Sequence, residues 1–192
     1  GIVSNTPLET VEISEELALF FNETVATFNE NKNLLAGKIS DKDMKKVLDG
    51  LGNAGSNFRN AIYENGFSSN KGTISKKDLL DFTKITLQFI DHSIEANKRA
   101  DKLYHAYNLM TVKNKQEISI SYLPEMLEGQ VAVLSSGYIS GTDSLELLNA
   151  LKASALFRPD QYSYILYPNK ELPRFNDKNN ISSKKVEKSA LF

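Results

Sequence analysis

Glu125 and Glu128 stand three residues apart in the stretch Tyr122-Leu-Pro-Glu-Met-Leu-Glu-Gly-Gln-Val-Ala-Val-Leu. On a helix that spacing puts both carboxylates on one face. Pro124 suits the first turn of such a helix, where its missing N–H leaves nothing unpaired. The apolar run Val131 to Leu134 predicts that the helix is largely buried. Carboxylates at the opening of a buried helix need partners or a raised pKa, and either would serve acid/base chemistry. The plainer role for the same pair is helix-dipole stabilisation with pairing to a nearby Arg.

Two further stretches carry polar-ligand chemistry. Leu103-Tyr104-His105-Ala106-Tyr107-Asn108 crowds ring faces, donors and acceptors into six positions, the mixture a polar ligand pocket uses. Asp101 lies four residues before His105, a spacing that on a helix would let a carboxylate orient the imidazole. Phe157 to Phe175 holds Arg158, Asp160, Gln161 and Tyr162, and five aromatics in 19 residues against 9% over the chain. Tyr rings beside Arg, Asp and Gln can stack on a sugar ring and bond its hydroxyls. The competing reading is a long loop anchored by buried rings. Only four of the 23 basic residues are Arg, so each could be a bidentate choice that Lys would not replace.

Other chemistries are excluded or weak. With no cysteine, thiolate metal sites, disulfides and cysteine nucleophiles are ruled out. The two histidines, His92 and His105, have no metal-ligand spacing, and neither a metal nor a cofactor is expected. Gly50, Gly52 and Gly55 spell G-x-G-x-x-G, but the residues before them have a helical period, where dinucleotide binding requires a strand. A net charge of −1 gives no global field for nucleic acid or an anionic membrane, and no apolar run approaches 18 residues. Neither partner is expected. Residue 1 is Gly, with no signal-peptide pattern after it, so the expectation is a portion of a longer product.

The elements that must position these groups read as helices. Ser14, Ser40 and Ser75 are N-cap candidates, each with acidic residues in the turn that follows. They open helices from Glu15 towards Gly37, over Asp41–Asp49 and over Lys76–Lys98. A glycine-rich break then precedes a helix over Ser56–Asn65, stopped by Gly66 and Phe67 in a Schellman pattern. Leu123–Ser135 and Asp143–Ala155 complete the set, the latter capped by Ser140 or Thr142. Gln116–Tyr122 alternates weakly and predicts one short strand. The expected core comprises Leu79, Phe82, Ile90, Leu127, Val131, Leu134, Leu147 and Leu151. The expectation is therefore a mainly α fold of antiparallel helical hairpins with at most one small β-hairpin or strand. A single helical domain would span 1–175, followed by a polar, Lys-rich tail over 176–192.

The segments Leu103–Asn108, Glu125-Met-Leu-Glu-Gly-Gln and Arg158-Pro-Asp-Gln resemble the catalytic-side loops of six-hairpin (α/α) toroid proteins. These include glycoside hydrolases and the cellobiose-phosphorylase-like group. The resemblance covers roughly residues 56–175 and implies helical hairpins around a cleft whose loops contact an oligosaccharide, in glycoside hydrolysis or phosphorolysis. A full toroid needs far more chain, so the rest of a larger chain is an implied partner. On this reading Glu125, Glu128 and Asp160 are the catalytic candidates. Tyr104, His105, Asn108, Arg158 and Tyr162 are the substrate-binding ones. The alternative is a non-catalytic helical module, structural or partner-binding.

Overall fold

In the computed structural model, residues 2–190 are described. The chain opens with α1 (Ile2–Asn5), β1 (Thr10–Ser14) and α2 (Glu15–Glu30), then a 3-10 turn over Lys32–Ala36. It continues through α3 (Asp41–Asn65), β2 (Lys71–Ser75), α4 (Lys76–Ala96), β3 (Asn108–Val112) and β4 (Ile118–Tyr122). It finishes with α5 (Leu127–Ser135), α6 (Gly141–Ala153), β5 (Phe157–Arg158), β6 (Ser163–Tyr164), α7 (Phe175–Lys178) and α8 (Ser183–Val186).

This corrects the expected fold class. The chain is 53% helix and 14% strand, with three two-stranded antiparallel sheets, a mixed α/β architecture in place of antiparallel helical hairpins alone. Each extra strand is five residues or fewer, too short for period-2 alternation to stand out beside helical signals. The pairing that makes them strands is tertiary. Thr10–Ser14 meets Lys71–Ser75, some 60 residues away, with Val11 opposite Ile74.

Serine capping explains how strands turn directly into helices. Ser14 ends β1 and its hydroxyl accepts from the Leu17 N–H at the start of α2. Ser75 ends β2 and accepts from the Asp78 N–H of α4. Ser40 and Ser140 do the same for α3 and α6. An oxygen two or three residues ahead satisfies an otherwise orphan donor, so one residue both leaves the sheet and starts the helix.

The glycine-rich segment does not break its helix. α3 runs unbroken through Gly50, Gly52 and Gly55. A Cβ at Gly50 would lie 2.6 Å from the Thr27 Cγ2 of α2. Gly50 is thus where two helix backbones approach closely, and a phosphate-cradling turn does not exist here. The stop is at Gly66, whose φ of 69° and N–H bond to the Ile62 carbonyl match the expected glycine termination.

Two kinds of packing hold the molecule. α2, α3 and α4 meet through rings: Phe20 on Phe58 at 5.3 Å, Phe21 on Phe82 at 5.2 Å, and Phe28 on Phe89 at 4.9 Å. Further along, Leu103 packs with Leu151 and Leu156, and Tyr104 with Val133 and Leu147. Of the expected core residues, Leu147 and Leu151 are buried. Leu79, Phe82, Leu127 and Leu134 are half-buried. Ile90 and Val131 are about half exposed instead, Ile90 because it lines an open cleft beside Phe28 and Val47. The total exposed area is 13629 Å², against roughly 9,000 Å² for a compact monomer of this mass.

Candidate functional site

The sequence stretch Lys98–Tyr107 is not helical. Lys98 bridges Tyr104, and the His105 N–H donates to the Asn97 carbonyl at 2.9 Å, so the chain doubles back on the end of α4. Asp101 consequently does not orient His105. Its carboxylate receives the Arg99 guanidinium at 2.7 Å and the Leu103 N–H at 3.2 Å. The guanidinium beside it holds the Asp101 carboxyl below the usual carboxylate range.

Gln130 locks this irregular segment to α5. Its side chain is completely buried. Its Oε1 accepts from the Tyr104 N–H at 2.8 Å, and its Nε2 donates to the Tyr104 and Met126 carbonyls, both at 2.9 Å. Tyr104, a substrate-binding candidate, is 2% exposed, and burial raises its hydroxyl pKa. Its accessible neighbour in sequence is Tyr107, 57% exposed.

Glu125 and Glu128 occupy different settings. α5 begins at Leu127, so Pro124 and Glu125 precede the helix, and only Glu128 lies in its first turn. Glu125 is half-buried and lies 3.5 Å from the Arg99 guanidinium. Glu128 is exposed, and its charge is the first cause that raises the Tyr107 hydroxyl pKa, with a smaller contribution from Tyr167. The third stretch reaches this group through backbone, with the Leu127 N–H donating to the Leu166 carbonyl at 3.1 Å. Tyr107, Glu128 and Tyr167, from three separate stretches, are therefore near enough to act on one another electrostatically.

The rest of the third stretch goes elsewhere. Arg158 forms a two-pronged pair with Asp160 at 2.9 and 2.8 Å, and that guanidinium lowers the Asp160 pKa. Tyr162, at φ 50°, turns the chain between β5 and β6. Its ring meets Phe157 edge-on at 5.6 Å, with Lys152 over its face. Among the described residues, no hydrogen bond or ion pair links Arg158, Asp160 or Tyr162 to Glu125 or Glu128.

A cleft lies on the other side of His105. One part, about 850 Å³, runs between the 3-10 turn, α3, α4 and β4, with His92, Asn97, Asn108 and Tyr122 on its wall. A second part, about 420 Å³, shares Val47, Phe89, Ser93 and Asn97 with it and continues to Thr86 and His105. The His105 ring stacks on Tyr122 at 4.0 Å. Burial first, then the Arg99 charge, lowers its pKa, so the neutral imidazole is favoured. Its Nδ1 is buried without a partner. Asn108 donates from Nδ2 to Asn97 Oδ1 at 2.9 Å, and His92 Nε2 lies 2.8 Å from the Gly37 carbonyl.

No protein family and no curated protein sequence matches this chain. Among the described residues no group of three or more His, Asp or Glu is placed to hold a metal ion. No helix among them is long and apolar enough to cross a membrane.

The residues that sequence reasoning passed over are Arg99, Gln130 and Tyr167. Gln130 had a visible signal, a lone amide inside the apolar run Gly129–Leu134, since buried amides exist to satisfy backbone. Arg99 belonged to the scarce arginines but had no local pattern to mark its role.

Proposed function

We propose that this chain is a sugar-contacting portion of a carbohydrate-active protein, with its ligand surface at Tyr107, Glu128 and Tyr167. One observation carries the reading: two exposed tyrosines and an exposed carboxylate, drawn from three stretches, lie within electrostatic reach of one another. Half-exposed rings offer apolar faces to a pyranose, and a carboxylate accepts from vicinal hydroxyls. Arg99 and Glu125 hold the loop on which Tyr107 stands, so the surface is formed before ligand arrives. In glycoside hydrolysis, the Glu128 carboxylate is the group available to accept a proton from an attacking water.

The test is titration of a panel of neutral oligosaccharides by calorimetry or NMR, with Tyr107→Phe, Glu128→Gln and Glu125→Gln alongside. Binding that falls in Glu128→Gln while the fold is kept supports the reading. Absence of binding to every sugar, together with destabilisation by the glutamate substitutions, would leave these groups as structural ties.

A second reading has its own observation. The exposed area exceeds that of a compact monomer by roughly 4,000 Å², and Leu19, Leu145 and Leu148 stand 46–60% exposed on helices. A non-catalytic module that docks against other protein would present such a surface. Sugar titration separates the two, since a docking module would be indifferent to it.

A further inference from the structure

We infer that β3 is the self-pairing edge of a symmetric dimer, in which two copies join their β3–β4 hairpins into one four-stranded antiparallel sheet. This rests on the backbone of β3, with Tyr107 of the sugar-contacting surface one step beyond the paired residues.

The bonding pattern fixes which groups are free. β3 and β4 pair with Asn108 opposite Tyr122 and Val112 opposite Ile118. The Lys113 N–H donates to the Glu117 carbonyl and the Leu123 N–H to the Tyr107 carbonyl. In an antiparallel ladder, bonded and unbonded residues alternate, so Tyr107, Leu109, Thr111 and Lys113 face β4. The N–H and C=O of Asn108, Met110 and Val112 therefore point off the outer edge. Among the described residues, no hydrogen bond reaches them. Every residue of β3 is exposed, with Leu109, Met110 and Val112 at 50–58%.

Edges of this kind are ordinarily guarded by charge, proline or a covering element. β1 carries Glu12 and β2 carries Lys71. β4 packs on α3 and buries Ile118. β3, Asn-Leu-Met-Thr-Val, has no such guard. What marks a second copy as the occupant is self-complementarity. A two-fold axis at Met110 places Met110 opposite Met110, Asn108 opposite Val112 and Leu109 opposite Thr111. All three outward residues then fall in bonded pairs, and six backbone bonds form without a register conflict. One step further, Lys113 meets Tyr107, so no like charges face each other across the axis. A net charge of −1 adds little general repulsion.

The experiment uses the chain as it is. Sedimentation equilibrium should show the mass rising towards that of two chains as concentration increases. Met110→Lys sets two ammonium groups against each other on the axis and should weaken association at least about tenfold. Its circular dichroism should match wild type, because the side chain is half exposed and makes no ladder bond to β4. Since the protein has no cysteine, a single one is diagnostic. Met110→Cys should be joined readily by a short thiol-reactive cross-linker, because bonded partners sit about 5.5 Å apart at Cα. Val112→Cys, four residues out of register with its counterpart, should not. A mass of one chain at all concentrations, a dimer unmoved by Met110→Lys, or equal cross-linking at 110 and 112 would each overturn the inference.

Discussion

The helices α2, α3 and α4 and the segment Leu103–Leu156 stay folded by different means. In the first region regular secondary structure satisfies the backbone, and the helices adhere through half-buried phenylalanine rings. Apart from Ile85 of α4, only small or polar side chains of these helices, Ala18, Thr27 and Ala54, are deeply buried. In the second region much of the chain is irregular, so its backbone must be satisfied one group at a time. Gln130 does this for Tyr104 and Met126, inside a core where Leu103, Leu147 and Leu156 are at most 1% exposed. A packed helix face tolerates incomplete burial. An irregular segment under a core does not.

That contrast breaks first at Gln130. Replacing it with Leu leaves the N–H and C=O of Tyr104 unpaired in the interior, at about 1–3 kcal/mol each before relaxation, while the Met126 carbonyl keeps its helical bond. Urea unfolding should show a loss of about 3 kcal/mol or more. A loss below about 1 kcal/mol would mean water reaches Tyr104 and the segment is not sealed. Leu147→Ala comes next, with an expected loss of about 2–5 kcal/mol. Leu19→Ala, in the helical region and 57% exposed, should stay within about 0.5 kcal/mol.

Glycine substitutions sharpen the helical side of the comparison. Gly50→Ala drives a Cβ to 2.6 Å from Thr27 and should cost about 1–3 kcal/mol through overpacking, less the gain in helix propensity. At Gly52 a Cβ meets nothing within 4 Å, so Gly52→Ala should add up to about 1 kcal/mol of stability, read as a higher melting temperature. Equal responses at the two sites would remove the close helix approach from the account.

The smallest effect concerns pH. His105 has a folded pKa lowered from its ordinary 6.5, so the unfolded chain binds a proton more readily. Its contribution is present above about pH 6.5 and is lost as pH falls from there towards the folded value. Stability measured from pH 7.5 to 5 should decline less steeply in His105→Gln than in wild type. Identical slopes would show that the ring is not desolvated.

Much of the helical skeleton was legible beforehand because its signals are local. The serine caps at 14, 40, 75 and 140, the Gly66 stop and the strand ending at Tyr122 stand as expected. Candidate-site geometry was legible only in part. Stretches 103–108 and 125–130 come together, as the two Tyr104–Gln130 hydrogen bonds show. Arg158, by contrast, pairs with Asp160, two residues away, because a near partner costs less chain ordering than a distant one.

Residue types within a few positions of one another, through capping hydroxyls, apolar periodicity and the absence of cysteine, determined where helices begin and which chemistries are closed to this protein. The tertiary structure alone decided that Thr10–Ser14 is a strand, that Gly50 lies between helices, and that His105 sits on the wall of a cleft. Each of those facts depends on a partner tens of residues away. Pairing, close approach and desolvation are properties of two surfaces together, and neither segment carries them by itself.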